Sequence, residues 1–264
     1  MGTNREQTGK PAREQPVKNG TKQVVNAVKE ALLTALFPYV CPVCNQVIDR
    51  NIDWIHPECR RFLTPIKGRY CIKCGKSLKE EGELCTDCAG TEHVFIQNAA
   101  AFARNEVSKR AIYAFKYENK REFGYCFAKG IEENCKERIS KWDIDAIVPV
   151  PLYIEKKRIR GFNQTELLAD SLGDLLGMTV VKNALIRTRK TAPMKDLSGG
   201  ERFRNVAGAF VANTENCQQI KGKRLLVLDD IYTTGTTLDA CAQVLLEAGA
   251  EAVYGVTLCV GEGF

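Results

Sequence analysis

The stretch "RLLVLDDIYTTGTT", residues 224–237, constrains the fold more than any other part of the chain. Leu225 to Leu228 are apolar at every position, as a strand buried on both faces must be. Asp229 and Asp230 follow at its carboxyl end, the edge at which open α/β sheets hold their ligands. The turn Thr233–Thr237, four threonines around Gly235, runs directly into the helical pattern "TLDACAQVLLEAGA" and then into a second apolar run, "AVYGVTLCV". Strand, helix and strand in that order require a parallel pair with the helix packed across it.

The same alternation extends upstream. Residues 95–102 read as a strand, and 106 to about 138 as helix with a break near Asn119. "DAIVPVPL" at 145–152 reads as a buried strand bounded by prolines, and 162–177 as an amphipathic helix closed by Gly177. "MTVVKNALIR" and "VAGAFVAN" read as shorter strands flanking a basic, glycine-containing loop. The expected class is α/β, a mostly parallel sheet flanked by helices.

The acid pair and the threonine turn suggest chemistry as well as topology. Backbone amides at a helix start, the hydroxyls of Thr233, Thr234, Thr236 and Thr237, and a glycine permitting close backbone approach suit a phosphate. Adjacent carboxylates suit sugar hydroxyls or Mg²⁺. Together they describe a ribose phosphate site. The plainer reading, an ordinary helix cap beside two solvated acids, accounts for the threonines but not for the combination. No P-loop or dinucleotide fingerprint occurs at a strand-to-helix turn.

A second pattern lies between Cys41 and Cys88, where large apolar residues are too few to build a core and a staple is needed. Cys41/Cys44, His56/Cys59, Cys71/Cys74 and Cys85/Cys88 form four C-x-x-C-type pairs, separated by eleven residues in the first half and ten in the second. This is a tandem repeat of zinc ribbons, one with three thiolates and an imidazole and one with four thiolates, holding one or two structural Zn²⁺ ions. A crossed arrangement of pairs and a bystander His56 remain open alternatives at this level. The other cysteines, 126, 135, 217, 241 and 259, have no ligand spacing and are expected in the core. His93 has no partner pair and is expected on the surface. Arg60, Arg61, Lys67, Arg69, Tyr70 and Lys73 offer the ribbons a basic, aromatic face toward nucleic acid.

Residues 1–22 are polar, without hydrophobic periodicity, and are expected to be a disordered tail; 23–38 read as one amphipathic helix, 39–92 as the double zinc ribbon and 93–264 as the α/β domain. The apolar run at 31–37 is far shorter than the ~20 residues that span a bilayer, and no signal-like segment precedes it. A cytoplasmic protein is expected, in which twelve cysteines are metal ligands before they are disulfides. The net charge of +6 is concentrated at 153–160 and 182–204, basic segments that attract phosphate-bearing partners.

The apolar strand, Asp-Asp and Thr-Thr-Gly-Thr-Thr together resemble the phosphoribosyl pyrophosphate signature of type I phosphoribosyltransferases. "FKY" at 115–117, "VPVPL" at 148–152, "RIRGFNQTELLA" at 158–169 and "ERFRNVAGAF" at 201–210 are similar to the ComF family, competence-associated proteins with a phosphoribosyltransferase-like domain. The resemblance implies a phosphoribosyl pyrophosphate site with Asp229 and Asp230 on the ribose hydroxyls and Thr233, Thr234, Gly235, Thr236 and Thr237 on the 5′-phosphate, together with Mg²⁺. Arg158, Arg160, Arg187, Arg202 and Arg204 suit pyrophosphate or a nucleic-acid backbone. Tyr232 replaces the signature's usual aliphatic residue, a departure expected not to affect the loop; Met194 stands where family members commonly carry glutamine. The resemblance further implies support of DNA uptake through single-stranded DNA, with a competence helicase or DNA-processing proteins as partners. An active, Mg-dependent phosphoribosyltransferase with an unidentified base or amine acceptor is the alternative, and a scaffold with a vestigial loop a third reading, which the intact acid pair opposes.

Overall fold

In a computed structural model of the chain, the residues described are 38–49, 52–190 and 208–261. The expected tail, nearly all of the expected 23–38 helix, Met194, Arg202 and Arg204 lie outside them. Tyr39 onward forms one compact unit.

The sheet contains six strands among the described residues, in the order β1-β2-β8-β7-β3-β4. These are β1 (Thr64–Pro65), β2 (Asn98–Ala103), β3 (Ala146–Pro149), β4 (Thr179–Val180), β7 (Arg224–Tyr232) and β8 (Ala252–Val260). All pairs are parallel except β1 with β2. β5 (Leu185–Arg187) and β6 (Phe210–Ala212) form a separate antiparallel pair. Among the described residues the α-helices are the one-turn α1 (Thr86–Ala89), α2 (Glu106–Tyr117), α3 (Phe123–Ile139), α4 (Ile154–Arg160), α5 (Gln164–Leu176) and α6 (Thr236–Glu247). The mostly parallel α/β class is therefore as expected.

Local sequence explains the boundaries. The expected break near Asn119 is real: that residue takes a left-handed φ of 55°, and α2 and α3 are separate helices. Gly177 closes α5 with φ 67°, donating back to Gly173 O. The basic segment 153–160, expected only as a charged stretch, is the short helix α4. Asn98, rather than Phe95, begins β2, although Ile96 N–H still donates to Val253 O at 2.8 Å.

Side-chain alternation along β7 divides the core. Leu226 and Leu228 pack with Ile112, Phe115, Phe127, Ile131, Leu168 and Leu172 from α2, α3 and α5. Leu225 and Val227 pack on the other face with Leu238, Cys241 and Leu245 of α6. That second cluster also takes in Cys71, Cys74, Cys85 and Cys88, so the second ribbon packs directly into the core of the sheet. Four of the cysteines expected in the core are buried there, while Cys217 is only half-buried.

Candidate functional site

Alternation sends the two strand-end acids to opposite faces of the sheet. Asp230 is buried, and its Oδ2 accepts from Gln164 Nε2 at 2.8 Å while pairing with Lys116 Nζ at 2.7 Å. Gln164 in turn accepts from Arg160, whose guanidinium lies 4.9 Å from the Tyr117 ring centre. Gln164 is held because Asn163 caps α5, and Asn163 Nδ2 and Thr165 Oγ1 both donate to Val150 O, at 3.2 and 2.5 Å. The end of α2, the end of α4 and the start of α5 thus converge on one carboxylate. Lys116 lies in "FKY" and Gln164 in "RIRGFNQTELLA", so the sequence motifs contain them, but nothing local to either motif points to Asp230.

Asp229 is half-buried on the α6 side, its Oδ1 accepting the Asp230 N–H at 2.8 Å. Burial first, and then the Asp230 charge, push its carboxyl up to about 7, while Lys116 and Arg187 pull the other way. Beyond it, Ile231, Thr233, Thr234, Gly235 and Thr237 line a recess. Thr234 and Thr236 hydroxyls lie 2.6 Å apart, and no side-chain hydrogen bond caps the start of α6. A helix N-terminus without such a cap presents first-turn N–H groups and the positive end of the helix dipole.

Cations gather beside the acids. The Lys156 ammonium is pushed down by burial and by the charges of Arg187, Arg160, Lys190 and Lys116, which places five cationic side chains around one region. Arg187 stacks over Phe210 at 5.2 Å, and burial holds its guanidinium below the usual value. Arg158 is exposed on α4. Near Arg160, Tyr113 and Tyr117 stand 57% and 63% exposed with ring centres 4.9 Å apart, and Ile159 is 89% exposed.

The two cysteine modules repeat in detail. Cys41 N–H donates to Gln46 O at 2.8 Å and Cys71 N–H to Lys76 O at 2.7 Å. Asn45 and Gly75 occupy equivalent left-handed positions. The ligand atoms of Cys41, Cys44, His56 and Cys59 lie within 4.8 Å of one another, as do those of Cys71, Cys74, Cys85 and Cys88. The pairing is therefore sequential, not crossed, and His56 belongs to the first set, its Nδ1 3.3 Å from Cys44 Sγ. Tetrahedral thiolates at ~2.3 Å from Zn²⁺ are ~3.8 Å apart, and Cys74 and Cys85 Sγ are 3.7 Å apart. The donor sets fit structural zinc.

The basic ribbon face expected from sequence is spent internally only in part, since Arg61, Lys67 and Arg69 are exposed. Arg60 pairs with Asp53 and Glu133, Lys73 Nζ donates to Phe95 O and Ile96 O, and Arg138 stacks on Tyr70. These contacts fasten the ribbons to α3 and the sheet, a role that charge and spacing alone do not reveal.

His93, expected on the surface, has a side chain only 2% exposed. Its Nδ1–H donates to Asp239 Oδ2 at 2.8 Å, and its Nε2 faces Tyr232 Oη at 3.3 Å and Cys88 Sγ at 3.9 Å. Tyr232 is also buried, and a Cβ placed on Gly235 would lie 2.6 Å from both Tyr232 Oη and His93 Cε1. Tyr232 therefore bears directly on the threonine turn, contrary to the expectation of an inert replacement. No periodicity or spacing signals the contacts with Tyr232 and Asp239, which lie 139 and 146 residues from His93.

Comparison with known proteins adds to the geometry. Residues 32–89 match the double zinc ribbon domain and 162–262 the phosphoribosyl transferase domain. The chain is 27% identical over 240 residues to Competence protein ComFC of Bacillus subtilis (strain 168), spanning 83% of this chain and 94% of that one. It is 27% identical over 188 residues to Competence protein F of Haemophilus influenzae, spanning 70% and 81%. It is 39% identical over 115 residues to DNA utilization protein YhgH of Escherichia coli (strain K12), spanning 44% and 49%.

Proposed function

The chain belongs to the ComF family, and on that premise we propose that it binds phosphoribosyl pyrophosphate with Mg²⁺ and supports DNA uptake by holding single-stranded DNA in the cytoplasm. The observation that carries this reading is the convergence at one sheet edge of the acid pair, the α6 N-terminus with its threonines, and the cations around Lys156. The 5′-phosphate takes the amides and hydroxyls of 233–237. Asp229 takes the ribose hydroxyls or Mg²⁺, which neutralises charge on the pyrophosphate when bound. Asp230 acts through Lys116 and Gln164, orienting them toward the same site. Lys156, Arg160, Arg187 and Lys190 supply positive potential for the pyrophosphate.

For DNA, the support is the exposed Tyr113 and Tyr117 pair with Arg160 over the Tyr117 ring, and Arg158 and Ile159 exposed on the same short helix as Arg160. Bases stack on aromatic faces irrespective of sequence, and arginines hold the backbone. The competence and DNA-utilization names of the relatives favour the same partner.

The test is thermal denaturation of the zinc-loaded chain with and without phosphoribosyl pyrophosphate and Mg²⁺, alongside titration with labelled single-stranded DNA. A ligand at 100 times its Kd raises stability by ~2.7 kcal/mol, and the response is expected to vanish in Asp229→Asn/Asp230→Asn. DNA affinity is expected to fall with salt and to drop at least tenfold in Tyr113→Ala/Tyr117→Ala. An unchanged midpoint refutes the ligand assignment; DNA binding indifferent to both tyrosines refutes the surface.

Catalysis is the second reading, favoured by the half-buried Arg187, within the field of Asp229, and by Lys156 within the field of Arg187, where a departing pyrophosphate would be stabilised. Release of pyrophosphate in the presence of nucleobases or amines, lost in Lys156→Met, is its signature.

A further inference from the structure

Between the second cysteine cluster and the threonine turn lies one buried imidazole that touches both. Cys88 sits on α1, and five residues later His93 returns beneath the start of α6. Asp239, in the first turn of α6, accepts His93 Nδ1–H at 2.8 Å with one oxygen and Val94 N–H at 2.8 Å with the other. Asp239 N–H donates to Gly235 O at 2.9 Å, closing the first turn of the helix. Gly235 itself lies against the His93 ring so closely that a Cβ there would reach 2.6 Å from Cε1. On its other side the ring approaches Cys88 Sγ at 3.9 Å.

We propose that His93 and Asp239 are positioning residues linking the four-thiolate cluster to the 233–237 turn, so that a metal ion on Cys71, Cys74, Cys85 and Cys88 and an anion in the turn each strengthen the binding of the other. The linkage rests on the reading of that turn as a phosphate site. Its physical basis is contact without slack. An empty cluster leaves only side-chain packing, without metal–thiolate bonds, to hold Cys88 near the other three thiols, and a displaced Cys88 releases the segment 88–94. His93 and the Val94 amide then leave Asp239, a half-buried carboxylate that fixes the first turn of α6. The first-turn amides that would hold phosphate are thereby disordered. Linkage is reciprocal, so an anion that orders the turn must also tighten the metal.

The experiment uses the full chain loaded with ¹¹³Cd²⁺, whose resonances distinguish a four-thiolate site from one with three thiolates and an imidazole. Adding phosphoribosyl pyrophosphate and Mg²⁺ is expected to shift the four-thiolate resonance alone and to slow removal of that ion by a chelator about tenfold, within the usual 5–150-fold span of site coupling. His93→Ala is expected to weaken ligand binding about tenfold and to leave the resonance indifferent to ligand. His93→Asn, whose amide still donates to Asp239, restores the response in part. Asp239→Asn removes one of the two acceptors and tests the same contact if His93→Ala does not fold. Ligand binding with an unmoved resonance and an unchanged chelation rate overturns the linkage and leaves the phosphate reading intact. No ligand binding by the unaltered chain overturns that reading, and the linkage with it.

Discussion

Replacing Gly235 by alanine isolates the packing beneath the ligand turn. The residue has φ 82°, where an L side chain costs ~1–2 kcal/mol. The added Cβ would also lie 2.6 Å from His93 Cε1 and 2.6 Å from Tyr232 Oη, about 1 Å inside ordinary contact at 3.5–4.0 Å. Neither neighbour can swing away freely: Tyr232 is 4% exposed, and the His93 ring is held by Asp239. Overpacking of this kind costs ~1–3 kcal/mol, so the total penalty is about 3 kcal/mol. At ~2–4 °C per kcal/mol for a unit of this size, the zinc-loaded chain should lose roughly 6–12 °C in Tm. A double-mutant cycle with His93→Ala sharpens the test. Removing the ring vacates one of the two clashes, so Gly235→Ala should cost ~1 kcal/mol less in that background. A penalty below ~0.5 kcal/mol, in the range of an ordinary surface change, or strict additivity of the two substitutions, would refute the argument that the turn rests on His93.

Asp229 gives a pH dependence of definite sign. Its folded carboxyl is raised to about 7, against ~3.9 unfolded, so between these values the folded chain holds the extra proton and stability falls as pH rises. Asp229→Asn should flatten that slope between about pH 4 and 7 and be the more stable form above pH 7, read from denaturant midpoints. Lys116→Met leaves the buried Asp230 without its cation and should cost about 3 kcal/mol, with much of the loss recovered by adding Asp230→Asn; equal losses in the single and double variants would contradict the pairing. Cys74→Ser should lower zinc content from two ions per chain to one, and because that cluster packs with Phe95 and Ala100, should lower the unfolding midpoint of the sheet with it, measured by metal analysis and calorimetry.

Much of the architecture was legible because it rests on short-range rules. The all-apolar Leu225–Leu228 run, the acids after it, the glycine at 177 and the break at Asn119 each follow from backbone geometry or burial over a few residues. Ligand spacing likewise identified both cysteine modules, since a knuckle and its partner form within the same short segment. The sequence alone thus determined the α/β class, the edge of the sheet that carries the acids, and the metal-binding character of the ribbons.

Tertiary structure decided the rest, through contacts between residues far apart along the chain. Only packing distinguished sequential from crossed zinc pairs, brought Lys116 and Gln164 to Asp230, and spent Arg60 and Lys73 on internal partners. Only packing placed His93 between Cys88 and Asp239. A lone histidine has no period and no spacing to betray it; its role is set by the faces that the folded sheet and ribbon close around it.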